Sequence, residues 1–316
     1  MISTYLRNNI GDLMLPIALV VLCCLFALAE PAFLTLGNLN GILRQVALTG
    51  IMAIFMTFVI MTGGIDLSIG PVMALSGLAA YGVYFGTELP IVFAIVFGLL
   101  AGAAVGAING FAIAVIGLPP IIMTLGMLSI VRGFALLMGG PTLHQIRDEP
   151  FYTFLGNGRI AELPVSVWIF LTLTVVFIWV QKRTSFGLMV SSIGDNARAV
   201  HLSGRAVSLT ICFVYILSGI GAAIAGMLLS SQVNTASATY GEFGTELDVI
   251  AAVVLGGASL MGGKGSILRT FFGVMLLGVI NNGLNIMNVP VDQQLMVKGM
   301  IIIVALAVSE WAQRRS

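Results

Sequence analysis

Few residues in this chain can do chemistry, and nearly all of them interrupt apolar sequence. Of 316 residues, 59% are hydrophobic and 9% charged. The run Gly63-Gly64-Ile65-Asp66-Leu67-Ser68-Ile69-Gly70 breaks one apolar stretch. Its glycine pair weakens a helix, and Asp66 or Ser68 can cap the next one. Two roles fit. One is a tight turn with a capping acid. The other is a broken helix lining a polar path, because an ionisable group in a membrane segment is costly and faces a partner or a polar cavity. Asp248 begins a similar Asp-Val step later in the chain. Arg132 and Lys298 lie inside apolar runs, and each needs an acid, a backbone carbonyl or a route outward for its charge. Asn109, Asn281, Asn282 and Asn285 have amides that suit either a neighbouring helix or a hydroxyl-rich solute.

Several chemistries are excluded. The chain has two histidines, His144 and His201, and the topology below puts them on opposite faces, so no metal site is expected. No nucleophile–base pair lies within the apolar runs. The GGKG run at 262–265 invites a phosphate-loop reading that fails on spacing. Ala258 takes the first glycine position, and Gly265 stands where Ser or Thr should follow Lys264. The run reads as a tight turn, and the chain has no visible means of hydrolysing ATP. The net charge of +1 gives no field for nucleic acid. Cys23, Cys24 and Cys212 read as small apolar fillers.

The elements that must position these residues follow from composition. A soluble chain carries roughly 25% charged residues. At 9% charged, and with a mean hydropathy of +1.08, this chain suits lipid. There the backbone must satisfy itself, and continuous apolar runs favour helices over a barrel. At about 20 residues per crossing, ten spans are expected. They lie near 13–29, 46–62, 67–85, 91–116, 120–138, 165–181, 208–230, 247–261, 267–287 and 293–310. The eighth is short and glycine-rich. The first lacks a small-residue cleavage site after it and reads as a retained span.

Basic residues orient the chain. With the N-terminus inside, the inner segments hold Arg7, Lys182, Arg183, Arg198, Arg205, Lys264, Arg269, Arg314 and Arg315. The outer ones hold Arg44, Arg147 and Arg159. Both termini are therefore expected inside. Trp168 and Trp179 bracket the sixth span and Trp311 ends the tenth, as interfacial residues do. The long connections 139–164 and 231–246 then face outward, and 182–207 faces inward.

Markers recur in order. Val131-Arg132-Gly133 matches Val297-Lys298-Gly299, Gly106-x-x-Asn109 before Pro119 matches Gly278-x-x-Asn281 before Pro290, and Asp66-Leu67 resembles Asp248-Val249. Spans two to five (46–138) would then repeat as seven to ten (208–310). The odd offset of five spans turns the second copy upside down, an arrangement with which many transporters build a mid-membrane site. Gly98, Gly102, Gly106 and Gly110 recur every fourth residue, giving the fourth span a smooth ridge for close packing.

Three stretches carry a resemblance: GGIDLSIG; residues 246–289, ELDVIAAVVLGGASLMGGKGSILRTFFGVMLLGVINNGLNIMNV; and the cytoplasmic segment 182–207. The last meets a Gly-x-Asn-x-x-Ala-x-x-x-Ser-Gly pattern at Gly194, Asn196, Ala199, Ser203 and Gly204, with Arg205 where the family usually has Ile. From about 33 to 308 the chain resembles the permease subunit of a bacterial ABC-type sugar importer, of the ribose, xylose and autoinducer-2 branch. The resemblance implies one all-α membrane domain of the type II importer kind, in the bacterial inner membrane. It implies a second permease chain, as a homodimer or a sister subunit. Separate ATPase subunits would use ATP and Mg, and a periplasmic sugar-binding protein would deliver solute. Residues 194–206 would form the helix that couples to the ATPase. Asp66, Ser68, Asn109, Asn281, Asn282 and Asp248 are the candidates for the path. An ion-coupled carrier using Asp66 and Asp248 is the competing expectation.

Overall fold

The computed structural model describes residues 2–87, 89–146, 149–241 and 244–313, and within these the side chains of 13–301, 303, 304 and 307. Arg7, Arg147, Trp311, Arg314 and Arg315 of the charge and belt argument lie outside the described residues or side chains. Twelve α-helices dominate. They are α1 (Ile2–Ala29), α2 (Leu36–Met61), α3 (Ile69–Gly86), α4 (Ile91–Phe111), α5 (Pro120–Gly139), α6 (Pro150–Asn157), α7 (Val165–Arg183), α8 (Ser185–Leu202), α9 (Val207–Val233), α10 (Thr245–Leu255), α11 (Ile267–Ile286) and α12 (Val291–Gln313). A π turn at Ala112–Ile116 extends α4 until Gly117 ends it at φ 85°. Short strand pairs trim the connections. His144–Gln145 pairs antiparallel with Thr235–Ala236, and Arg159–Ile160 with Leu163–Pro164.

Each expected span falls on a helix. Among the described residues seven are long and apolar enough to cross a membrane: α2, α3, α4 with its π turn, α5, α7, α9 and α11. The apolar part of α1 is Leu13–Ala29. The eighth expected span is different. Helix α10 has 11 residues, about 16 Å, and stops at Gly256. The rest of 247–261 is a turn, because consecutive glycines at 256 and 257, the latter at φ 81°, cannot prolong a helix cheaply. Large apolar side chains face outward, including Ile122, Leu137, Val175 and Leu209. Such a belt suits lipid and not water.

At the centre α2 packs on α9. Helices α3 and α4 also lie on α9, while α10 and α11 lie on α2. Helix α5 flanks α3, and α12 flanks α10. The glycine ridge of α4 sits on α9 as its spacing suggests. A Cβ at Gly102 would overlap the carbonyl of Gly219, and one at Gly106 the carbonyl of Tyr215. The two backbones thus approach without side chains between them, the usual route to helix association where lipid supplies no hydrophobic drive.

This contact is directly testable. Gly102→Val should lower the detergent melting temperature by several degrees, corresponding to an overpacking cost of about 1–3 kcal/mol or more. Gly82→Ala on α3, where the added methyl meets nothing within 4 Å, should leave it unchanged.

Candidate solute path and coupling surface

The first polar cluster forms where the chain leaves α2. Residues 62–68 are not helical, and Asp66 organises them. Its Oδ1 accepts from the Ser68 backbone N–H at 3.0 Å and the Ser68 hydroxyl at 2.6 Å. Its Oδ2 accepts from Ser218 of α9 at 2.8 Å. Asn109 of α4 donates to the Ser68 hydroxyl oxygen at 3.0 Å. Asp66, Ser68, Asn109 and Ser218 are all at most 2% exposed. Asp66 does not cap α3, whose N-cap is Ser68 with no side-chain cap bond. The carboxylate closes a turn onto its own Ser68, as aspartate does in local turns, and it also ties α9 to the start of α3. The Asn109 Oδ1, buried in this cluster, has no hydrogen-bond partner among the described residues, and the Tyr215 hydroxyl lies against Gly64 beside it.

The second cluster forms where the chain leaves α9, and Arg132 of α5 holds it. Its guanidinium donates to the carbonyls of Ala238, Tyr240 (2.9 Å) and Gly241 (2.8 Å). Gly241 lies against Gly70 in the first turn of α3, with the Glu246 carboxylate beside it. The carbonyl of Met73, one turn on, meets Gly226, about 10 Å before the end of α9. Residues 234–241 thus dip inward from the end of α9, and the N-termini of α3 and α10 come together inside the bundle. Asp66 precedes α3, whereas Asp248 sits inside the first turn of α10, so these two markers are not equivalent in place.

Lys298 of α12 bonds the Asp248 Oδ2 at 2.8 Å, both side chains being 23% exposed. Each of the two intramembrane bases therefore has its partner, one an acid and the other backbone carbonyls. Asn282 exchanges two amide bonds with Asn38 of α2, at 2.9 and 2.8 Å, and Asn285 accepts from Gln294 at 3.0 Å. Asn281 is 8% exposed, and its Oδ1 has no partner among the described residues. Of the six path candidates, Asp66, Ser68 and Asn109 form one cluster. Asp248 and Asn281 line a second small chamber with Gln45 and Thr49. Asn282 lies apart, against α2. Arg132, Ser218, Tyr215 and Gln45 belong to these surroundings. Tyr215, Ser218 and Gln45 carried no sequence signal, because hydroxyls and amides are common on packed membrane helices.

The pattern at 194–205 resolves into backbone functions. Asn196 has non-helical angles (φ −161°, ψ 89°) and splits α8 in two. Its Oδ1 accepts from the Ala199 N–H at 2.9 Å, an N-cap for the second half. That half ends at Ser203, whose hydroxyl bonds the Val200 carbonyl at 2.7 Å. Gly204, at φ 77°, then allows the N–H groups of Gly204 and Arg205 to reach the carbonyls of His201 and Val200. That is a Schellman stop, which only glycine enters easily. Asn196, Ala199, Ser203, Gly204 and Arg205 are exposed. Gly194 is not beside them. It packs inward, where a Cβ would overlap the Met61 carbonyl at the end of α2 and the Gly263 backbone. Gly263 N–H bonds the Met61 carbonyl at 2.9 Å, and the Ser191 hydroxyl bonds the Gly263 carbonyl at 2.7 Å. The GGKG run is the expected tight turn, with Gly262 and Gly263 at φ 92° and 77°.

At the other end of the bundle α6 lies across α9. Tyr152 donates to the Met227 carbonyl at 3.0 Å, and burial pushes its hydroxyl up to about 12, so it stays a neutral donor. An open recess of about 480 Å³ is lined by Glu149, Pro150, Thr153, Phe154, Asn157 and Gly158.

Residues 38–306 match the family described as branched-chain amino acid transport system / permease component. This chain belongs to that permease family. It is 40% identical to the ribose import permease protein RbsC of Bacillus subtilis, over 92% of this chain and 90% of that protein. It is 36% identical to the RbsC of Haemophilus influenzae over the same shares. It is 34% identical to the L-arabinose ABC transporter permease protein AraH of Azospirillum brasilense, over 94% of this chain and 87% of that protein. No solved structure matches. A permease with this many apolar helices is a multi-pass membrane protein.

The Lys298–Asp248 pair separates charge from packing. Lys298→Met should cost about 1–3 kcal/mol by stranding Asp248. Adding Asp248→Asn should recover part of that loss, read as thermal stability in a double-mutant cycle.

Proposed function

We propose that this permease is the membrane subunit of an ATP-binding-cassette importer for a small sugar. The observation that supports it most is extensive identity with permeases named for ribose and L-arabinose import. A fructose import permease of Rhizobium meliloti is also similar, at 35% identity. Its own polar residues agree with a hydroxyl-rich solute: carboxylates, amides and serines gathered where two helices begin inside the bundle. Asp66, Ser68, Asn109, Asn281, Asn282 and Asp248 are the proposed path residues. A pentose, a hexose or a sugar-like signal such as autoinducer-2 fits these groups.

In this reading the chain crosses the inner membrane ten times with both termini inside. Helix α10 and the turn after it complete the eighth crossing. The two halves are an inverted repeat. The packing agrees with that, because α3 and α4 lie on α9 while α10 and α11 lie on α2. A second permease chain completes the path. Separate ATPase subunits use ATP and Mg, and a periplasmic sugar-binding protein delivers solute at the face bearing α6.

Residues 194–206 pass the ATPase movement inward. The exposed half-helix 197–202 meets the ATPase. Gly194, seated on the end of α2 and on the 262–265 turn, carries displacement to the two elements that bound the path. An ion-coupled carrier fits less well. The Asp66 carboxylate already accepts three hydrogen bonds from its own chain, and Asp248 already holds Lys298.

Copurification tests the assignment. The tagged chain should bring down an ABC ATPase stoichiometrically. Deleting 197–203 together with Arg205→Glu should abolish that association while membrane insertion persists. A chain that purifies alone and transports without ATP would overturn the reading. Asp66→Ala should lower ATP-dependent uptake of a labelled pentose or hexose several-fold, about 1 kcal/mol or more of lost interaction.

A further inference from the structure

Beside the Asp248–Lys298 pair lies a small, partly open chamber between α2, α10 and α11. Its walls are Gln45, Val46 and Thr49 of α2, Asp248 of α10, and Val274, Leu277, Gly278 and Asn281 of α11. Its volume is about 10 Å³, close to what one water molecule needs. Four of its walls are polar, although it lies among apolar helices. The Asn281 Oδ1 is buried with no partner among the described residues. A stranded amide oxygen in such surroundings costs about 1–3 kcal/mol, and a polar cavity of this size with two to four partners is where buried water resides.

We propose that this chamber is a binding site for a single water molecule that joins α10 to α2 and α11. Donor and acceptor chemistry closes around it. The water donates to the Asn281 Oδ1 and to the Asp248 carboxylate, and it accepts from the Thr49 hydroxyl and the Gln45 amide. A sodium ion would suit the same oxygens but not the charge. Lys298 already neutralises Asp248 at 2.8 Å, so a cation would leave an uncompensated positive charge in a low-dielectric site. The water solvates the Asp248 carboxylate on the side away from Lys298. The short helix α10 is thereby held by an ion pair on one flank and by a hydrated amide on the other. A water-mediated joint can shear where a close-packed one cannot, which suits an element beside the path. The site rests on geometry and is independent of which solute is carried.

Two measurements test it. A cryo-EM map of the full chain in lipid nanodiscs, with its copurifying subunits and sharp enough to show ordered water, should contain one peak within hydrogen-bond distance of Asn281 Oδ1 and Asp248. A chamber without density overturns the proposal. So does a peak present in sodium and lost in sodium-free buffer, which would be a cation. Radiolytic hydroxyl labelling reads the same site without a map. Leu277 should label well above Ile54, although both are buried (4% and 1% exposed). Asn281→Leu, which fills the chamber with methyl groups, should cut the Leu277 signal by about half or more. Equal labelling of Leu277 and Ile54 in the parent chain would sink the idea.

Discussion

Irregular backbone inside a membrane protein must find partners for its N–H and C=O groups within the chain, because lipid offers none. That constraint governs this permease. Two non-helical stretches, 62–68 and 234–241, enter the bundle so that α3 and α10 can begin within it. Each is held by one charged side chain of the appropriate kind. The Asp66 carboxylate collects N–H and O–H donors in the first. The Arg132 guanidinium collects carbonyls in the second. An acid serves where donors need an acceptor, and a base serves where acceptors need donors. Asp66 and Arg132 are thus costly residues that remove a larger cost.

The same logic shapes the surface around α8. The family pattern around Gly194 looks at first like a list of contact residues. Most of its members instead build a short helix that stands out from the bundle. Asn196 starts it, Ser203 and Gly204 stop it, and Gly194 roots it against α2. Arg205 follows the stop with its backbone N–H in the capping bond and its side chain in the open.

Helix α10 links these two regions. It starts at the meeting point with α3, is flanked by α12 through Lys298, and ends in the glycine turn that touches both Met61 and Gly194. Its shortness leaves residues 256–265 to a turn that reaches α8.

Much of this was legible in the residues themselves. Apolar runs located the helices, because lipid leaves the backbone no alternative. The glycine ridge of α4 announced close packing, and the unsuitable spacing of GGKG announced a turn. What tertiary structure decided was partnership. Asp66 with Ser218, Arg132 with the 238–241 carbonyls, Lys298 with Asp248, and Asn282 with Asn38 join residues dozens to hundreds of positions apart. The length of α10 was hidden too, since an apolar run does not reveal where glycines will turn it. Sequence records which groups need a partner in lipid. Only the packed bundle determines which partner lies within three ångströms, because that depends on how helices distant in the chain come to lie side by side.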